Sequence, residues 1–389
     1  ITIDGTGEES YSTLYAIREA TLEKGVIWTG ANDGPFYVTR DDGKSWKNVT
    51  PKAQPAGCRV QNIEPSPHRR GSAYYAVLCY QLGDFKPYLW RTDDYGASWK
   101  LLTDGTNGIA INEPTRVVRE DPKRAGLLYA GTEFGMYISF DNGARWRSFQ
   151  GNLPHTPITD MKVHHDDLVI STQGRAFWIL DNLTALHSSS AHPMDSPARL
   201  FAPRDAFRMR YAGSFGGVEE GRSNPADPQY PPAGAMIDYW VSPGLTGPVT
   251  LDILDAKGVV LRSFSSDATS ETATTAPGMR QMVTVRTGAA RLPRSAGMNR
   301  FTWDLTLPGA WSAGAAQSGR NGPTVVPGKY QVRLSAGNVS TTQPLTVRID
   351  PRAAADGITV GDLQAQLAHN VKVRDLVSEV NRLVATLDD

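Results

Sequence analysis

Apolar residues in the first 186 positions fall in short, strand-length groups separated by Gly-containing turns, and the groups repeat along the chain. Each of three repeats carries an aliphatic residue, a glycine eight positions later and an aromatic residue three positions after that. The triples are Ile17/Gly25/Trp28, Ile63/Gly71/Tyr74 and Val118/Gly126/Tyr129. A repeat of about 50 residues made of strands and turns predicts a β-propeller. Each repeat is expected to form one four-stranded blade.

The spacing places blade one at 11–50, blade two at 58–103 and blade three at 110–150. Blade two carries extra length between Gln81 and Pro87. A degenerate fourth unit, at 158–186, has three strand-like segments and lacks the turn motif of the other three. The predicted propeller part therefore covers residues 1–190.

The motif Ser/Thr-x-Asp-x-Gly-x-Ser/Arg-Trp, the Asp-box, ends the third strand-like segment of blades one to three, at 39–46, 92–99 and 139–146. Its carboxylate is expected to accept backbone N–H bonds inside a tight hairpin, and its glycine to adopt a positive φ. We therefore predict structural roles, with the indoles packed under the hairpins, for Asp41, Asp94, Asp141, Trp46, Trp99 and Trp146.

Four blades are few for a closed propeller, and an open one exposes sheet edges and apolar faces. The sequence also starts without a signal peptide or an initiating Met. We expect the missing blades to come from an N-terminal fragment of a longer polypeptide or from a partner chain. An incomplete ring is the alternative.

The second half predicts a different architecture. A connector and Gly/Pro-rich linker occupy 191–234, and alternating strands over 235–351 predict an immunoglobulin-like β-sandwich. Two low-complexity insertions, at 265–292 and 308–325, are expected to be mobile loops. From 358 to 389 the apolar period becomes helical, which predicts one amphipathic helix or a helix pair broken near Asn370.

Composition narrows the classes of binding partner and the cellular location that we expect. Forty basic residues balance forty acidic ones, so no basic surface favours nucleic acid, and no apolar run of about 18 residues favours a membrane span. The two cysteines, Cys58 and Cys79, straddle a predicted hairpin and are expected to lie opposite each other, as a disulfide or as two buried thiols. A disulfide would suit a secreted or periplasmic protein.

Several segments resemble the C-terminal half of large secreted bacterial proteins known as BNR-repeat or sortilin-like glycosyl hydrolases. In the first half these are Gly131-Thr132-Glu133-Phe134-Gly135, Asn152-Leu153-Pro154 and Gln173-Gly174-Arg175-Ala176-Phe177-Trp178. In the second half they are 299–305 and 327–334. The resemblance implies a propeller with an appended immunoglobulin-like domain, and it leaves the activity open because the propeller fold hosts several functions.

The innermost strand of each blade is expected to line the channel, and it supplies the candidate site. The predicted ligand-binding residues there are Arg59, Gln61, Arg116 and His164, and Asp160 is the first candidate for a catalytic carboxylate. Two arginines in one channel suit an anionic ligand; pairing with acids such as Glu64 and Glu120 is the alternative. Asp84 and Tyr88, on the blade-two loop, form a further candidate contact.

No cofactor is expected, and no metal site at His164–Asp167, because adjacent strand residues point to opposite faces. The favoured function is recognition of an extended glycan or peptide at the channel. If the protein cleaves its ligand, glycoside hydrolysis by two carboxylates is the expected reaction, with the partner of Asp160 in the missing half. The alternative is a sortilin-like peptide-binding or structural cell-surface module without catalysis.

Overall fold

The computed structural model describes residues 13–188, 196–209, 233–268, 272–275, 284–287, 291–313 and 322–388. The chain divides between residues 192 and 193 into two compact units. Of the predicted connector and linker at 191–234, the structure describes residues 196–209 and 233–234, and parts of the two predicted insertions also lie outside the described residues. The first insertion nevertheless contains a two-stranded hairpin, formed by Thr272–Thr275 and Thr284–Thr287, where a loop was predicted.

The first unit is built of four consecutive antiparallel sheets, and the predicted all-β class with blade-like repeats is confirmed. Each sheet is made of strands in chain order, so that every blade is a simple meander. Blade one comprises β1 (Leu14–Glu19), β2 (Ile27–Ala31), β3 (Phe36–Thr39) and β4 (Lys47–Asn48). Blade two comprises β5 (Arg59–Pro65), β6 (Ala73–Leu78), β7 (Tyr88–Thr92) and β8 (Lys100–Leu101).

The remaining two blades differ in size. Blade three comprises β9 (Thr115–Glu120), β10 (Leu128–Thr132), β11 (Met136–Ser139) and β12 (Arg147–Ser148). Blade four has three strands in the described residues, β13 (Ile158–His164), β14 (Asp167–Thr172) and β15 (Phe177–Leu180), followed by the short helix α1 (Thr184–Ser188).

The first strands of the four blades, β1, β5, β9 and β13, pack side by side and form the inner surface of the unit. Each of them has a β-bulge at the same point of its pairing with the next strand. The bulged residues are Tyr15, Gln61, Arg116 and Thr159. Counting from the bulge therefore gives equivalent positions in all four blades.

The three motif turns, here called the box hairpins, are held together by their own side chains. In blade two the Asp94 carboxylate accepts the backbone N–H of Ser98 at 2.8 Å and the hydroxyls of Ser98 and Thr92 at 2.6 and 2.8 Å. Asp41 makes the same three bonds, and Asp141 makes two of them, because Arg145 replaces the serine whose hydroxyl donates in the other hairpins. The two residues after each aspartate have positive φ, which is why glycine follows.

Hydrophobic clusters fill the space between successive blades rather than the interior of any one blade. Trp146 is 3% exposed in the cluster between blades two and three, and Trp99 packs edge-on to Phe36 and Tyr75 between blades one and two. Trp46 differs from the expected core position, because it is 44% exposed. The indole needs a preceding blade to cover it, and no described residue fills that place.

Cys58 and Cys79 form a disulfide with a Cα–Cα distance of 4.7 Å. The bond links the start of β5 to the end of β6, and both residues are buried.

The second unit is a β-sandwich followed by a helix. One sheet has the order β16 (Ala198–Leu200), β18 (Ala235–Val241), β23 (Gly297–Trp303), and the other β17 (Ala206–Arg208), β25 (Val339–Ile349), β24 (Gly328–Ala336), β19 (Val249–Asp255), β20 (Val260–Ser265). The hairpin strands Thr272–Thr275 and Thr284–Thr287 are β21 and β22. One continuous buried cluster, which includes Trp303, Ile237 and Val332, lies between the two sheets.

The C-terminal region is a single helix, α3 (Val360–Asp388), preceded by one turn of helix, α2 (Pro351–Ala355). A reciprocal capping box starts α3, since Thr359 Oγ1 accepts the Asp362 N–H and the Asp362 carboxylate accepts the Thr359 N–H. Near its end, Ser378 and Asn381 hydrogen-bond the backbone of Trp311. The predicted helix is confirmed, and it continues through Asn370 without a break.

Candidate functional site

Four charged side chains occupy the same position, three residues after the bulge, on the four inner strands. They are Arg18 on β1, Glu64 on β5, Arg119 on β9 and Lys162 on β13. Arg18 and Lys162 are exposed, and both lie close enough to Glu64 for their charges to act on it. Equivalent strand positions in neighbouring blades thus gather a group of charges, here called the inner charge cluster.

Arg119 is the centre of the cluster and ties three blades together. Its guanidinium contacts the Asp160 carboxylate of blade four at 2.5 Å and the Glu64 carboxylate of blade two at 3.4 Å. It also donates to Asn62 Oδ1 at 2.7 Å and to the Met161 carbonyl at 2.7 Å. The guanidinium is almost fully buried and its N–H groups are held by these hydrogen bonds and ion pairs, so it is rigid. It therefore fixes the relative positions of the two carboxylates.

Burial raises the pKa of Glu64 to about 7, and the positive charges of Arg119, Arg18 and Lys162 only partly oppose that effect. A carboxyl group with such a pKa carries its proton in a substantial fraction of molecules at neutral pH. It can therefore donate a proton to a ligand, as general acids do. Asp160 differs in exposure, with 56% of its side chain accessible against 19% for Glu64.

Of the predicted ligand-binding residues, Arg59, Gln61 and Arg116 all lie at the bulged end of the inner surface. The Arg59 guanidinium lies 4.7 Å from the ring centroid of Tyr15, and Arg116 Nε binds Glu133 Oε1 at 2.7 Å. Arg116 thus pairs with a neighbouring acid, as the alternative interpretation expected, although that acid is Glu133; Glu64 and Glu120 make ion pairs with Arg119 and Arg69. Gln61 Oε1 is buried and, within the described part of the chain, accepts no hydrogen bond.

The blade-two loop reaches the same end, since its Tyr80 ring centroid lies 5.9 Å from the guanidinium carbon of Arg116. Its two predicted contact residues bind each other: the Tyr88 hydroxyl donates to Asp84 Oδ2 at 2.7 Å. Tyr88 is only 8% exposed, so its ring is part of the packing between loop and blade and offers no platform for a sugar.

His164 lies apart from the other candidates. It is at the far end of β13, five residues beyond the bulge, which corresponds to about 16 Å along a strand. Its ring packs edge-on against His165. Asp160, Arg59, Gln61 and Arg116 therefore all lie within two residues of the bulge on their inner strands, whereas His164 lies five residues beyond it.

Sequence reasoning missed Arg119, Arg18 and Lys162, and considered Glu64 only as a partner for other arginines. The sequence did contain a signal. Each of these charged residues directly follows the aliphatic residue that opens its repeat, namely Ile17, Ile63 or Val118, or the equivalent Met161 of blade four. Aligning the four strands on these aliphatic residues and Met161 would have shown a charged residue at the next position in every blade.

No known family profile matches the chain. A segment of 80 residues, 20% of the chain, is 32% identical to vacuolar protein sorting/targeting protein 10 of Zygosaccharomyces rouxii, and the match spans only 5% of that protein. A GH74 enzyme of Niastella koreensis is similar over 86% of the chain and 54% of its own, with 12% identity and a TM-score of 0.35. The structure described as YCF48 bound to D1 peptide covers 44% of the chain and 50% of its own, with 14% identity and a TM-score of 0.34. Within the described residues, no helix has the length and apolar content that a bilayer crossing needs.

Proposed function

We propose that the inner surface of the blades binds an extended glycan or peptide, with the inner charge cluster at the centre of the site. The observation that carries the proposal is Arg119, which holds Glu64 and Asp160 from different blades on one guanidinium. The two exposed cations, Arg18 and Lys162, and the two carboxyl groups that Arg119 holds in place offer donors and acceptors for the hydroxyl or amide groups of such a polymer.

The bulged end extends this site. Tyr15, 48% exposed, and Arg59 form a stacked pair that suits the face of a sugar ring or a peptide plane. Gln61 is partly exposed at the bulge, and its buried amide oxygen accepts no hydrogen bond from the described residues. A ligand that runs from the bulged end to the cluster contacts several blades. An extended polymer can make all of these contacts at once, whereas a small molecule cannot.

Glycoside hydrolysis is a second candidate, and the raised pKa of Glu64 favours it. Protonated Glu64 would give its proton to the glycosidic oxygen while the bond from that oxygen to the anomeric carbon breaks. The Asp160 carboxylate would take a proton from the water whose oxygen attacks that carbon. Carboxyl groups that share one guanidinium lie within about 10 Å of each other, the outer limit for such acid/base pairs.

The proposed type of protein and its location rest on the repeats and on the second unit. The box hairpins and the appended sandwich support a BNR-repeat, sortilin-like protein with an immunoglobulin-like domain, secreted or periplasmic. The peptide-binding or structural alternative without catalysis is favoured by the short match to a sorting protein.

A binding and turnover screen tests these functions together. Glycan and peptide arrays, followed by polysaccharide hydrolysis, are run with the unmodified chain, Lys162→Ala, Glu64→Gln, Asp160→Ala and the control Asp205→Asn, which removes an exposed ion pair of the sandwich. We expect Lys162→Ala to weaken binding and the control to have no effect. If hydrolysis occurs, Glu64→Gln should lower turnover at least about a hundredfold. Binding that Lys162→Ala and Asp160→Ala both leave unchanged would place the site elsewhere.

A further inference from the structure

The side of blade one that faces away from blade two, here called the rear face, exposes residues that every other blade buries. The second residue after the bulge is Ile63 in blade two, Val118 in blade three and Met161 in blade four, each at most 2% exposed and packed on the preceding blade. In blade one that residue is Ile17, which is 59% exposed.

The residue just before the bulge follows the same rule. Val60, Thr115 and Ile158 are fully buried, whereas Leu14 is 62% exposed. Leu14 and Ile17 are thus two large apolar side chains exposed on one strand, at positions that the other three blades bury. This pattern indicates a surface that packs against another element rather than isolated exposed residues.

The box indoles show what covers such a face. Trp99 donates to the carbonyl of Val49, directly after the fourth strand of blade one, at 2.6 Å. Trp146 donates to the carbonyl of Leu102, directly after the fourth strand of blade two, at 3.1 Å. Trp46 has the same place in its own hairpin, is 44% exposed and donates to the carbonyl of Gly43 at 3.1 Å.

The box glycines give independent evidence for the same contact with the preceding blade. A Cβ added at Gly96 would come within 2.6 Å of the Val49 side chain, and one at Gly143 within 2.9 Å of Leu102. At Gly43 the nearest atom is 3.9 Å away and belongs to Trp46 of the same hairpin. Each box hairpin thus closes on the residue after the preceding blade's fourth strand, and that of blade one has nothing to close on within the described residues.

We infer that the rear face, made of Leu14, Ile17 and Trp46, docks a complete four-stranded blade that lies outside the residues of this sequence. That blade supplies a backbone carbonyl, directly after its fourth strand, to the Trp46 indole N–H, and an aliphatic side chain at the same point to lie against Gly43. Its third strand carries an apolar residue, as Phe36, Leu89 and Met136 do in this chain, to cover Ile17.

A second copy of this chain is the natural competitor, because blade four also has an exposed face. Phe177 and Ile179 are 78% and 58% exposed, although their equivalents in blade three, Met136 and Ile138, are buried. Blade four, however, has no fourth strand in the described residues, which therefore offer the Trp46 indole no backbone carbonyl at the end of such a strand. The chemistry of the rear face therefore favours a complete blade over blade four of another copy.

A photo-crosslinking amino acid at Ile17 tests the inference in the native host, where this sequence occurs with whatever polypeptide accompanies it. The matched control places the same amino acid at Lys100, an exposed position on the outermost strand of blade two. After irradiation, the peptides joined to each position are identified by mass spectrometry. We expect position 17 to join a segment that carries its own Asp-box motif, and position 100 to join none.

Two results would overturn the inference. One is a crosslink from position 17 to the Phe177–Leu180 strand of a second copy, with sedimentation showing a dimer. The other is the absence of any crosslink at position 17 when the same residue incorporated at Leu14 is equally unreactive, which would mean that the rear face is free in the native protein.

Discussion

Trp99 donates its indole N–H to the carbonyl of Val49 at 2.6 Å, and so joins the box hairpin of blade two to the end of blade one. The motif is therefore a contact between blades as well as a local turn. Its carboxylate and hydroxyls shape the hairpin, and its indole and glycine close on the blade before it. This division of roles leads to predictions that compare equivalent residues in different blades.

Alanine at the box glycines should give different costs in different blades. All three glycines have positive φ, so each substitution costs about 1 kcal/mol in backbone strain. Gly96→Ala also forces its Cβ against Val49, and we expect an added cost of about 1–3 kcal/mol. Gly43→Ala is the matched control, and urea unfolding measures all of them. Equal costs at positions 43 and 96 would contradict the contact between blades.

Glu64 should make the protein less stable as the pH rises. Its pKa is about 7 in the folded protein against an ordinary 4.5, so between these values the folded state holds a proton that the unfolded chain has released. The free energy of unfolding should therefore fall by about 1–3 kcal/mol from pH 4.5 to 7.5, relative to Glu64→Gln. Denaturation at several pH values checks this. Parallel pH profiles for the two proteins would show that the carboxyl group titrates normally.

Arg119→Lys should be costly although the charge is kept. The lysine cannot reproduce the separate bonds to Asp160, Asn62 and the Met161 carbonyl, and we expect a loss of about 2–4 kcal/mol. Arg348→Lys is the control, because that arginine is largely exposed and pairs with Asp205 at the surface. It should cost less than about 1 kcal/mol. Similar small losses for both variants would remove Arg119 as the centre of the cluster.

Opening the disulfide should destabilise the first unit. Cys58 and Cys79 are 21 residues apart, and a loop of this size corresponds to about 3 kcal/mol of chain entropy in the unfolded state. The double variant Cys58→Ser/Cys79→Ser should unfold at correspondingly lower denaturant, as should the unmodified protein after reduction. A change below about 1 kcal/mol in both measurements would mean that the crosslink adds little.

The sequence predicts the box hairpins well because their contacts are local: Asp94 binds residues two and four positions away. The capping box at Thr359 is recognisable for the same reason. Arg119 and Asp160 are 41 residues apart and meet only when two inner strands align at their bulges, and no composition or period marks a bulge. Likewise, Trp46 and Trp99 end the same Thr-x-Asp-x-Gly-x-Ser-Trp motif, and only the preceding blade decides which one is covered.

The central claim, that each box indole belongs to the blade before its own, is tested most directly by unfolding three matched variants, Trp46→Phe, Trp99→Phe and Trp146→Phe. Trp99→Phe leaves the Val49 carbonyl without its indole donor and should lower the free energy of unfolding by about 1–3 kcal/mol. Trp146→Phe removes one of two donors to the Leu102 carbonyl, which also accepts an Asn107 side-chain N–H at 2.8 Å, and should lower it by about 0.5–1.5 kcal/mol. Trp46→Phe should change it by less than about 0.5 kcal/mol, since that indole is exposed and bonds only within its own turn. Equal losses at the three positions would mean that the indoles act inside their own hairpins, and the account of blades closing on one another would be wrong.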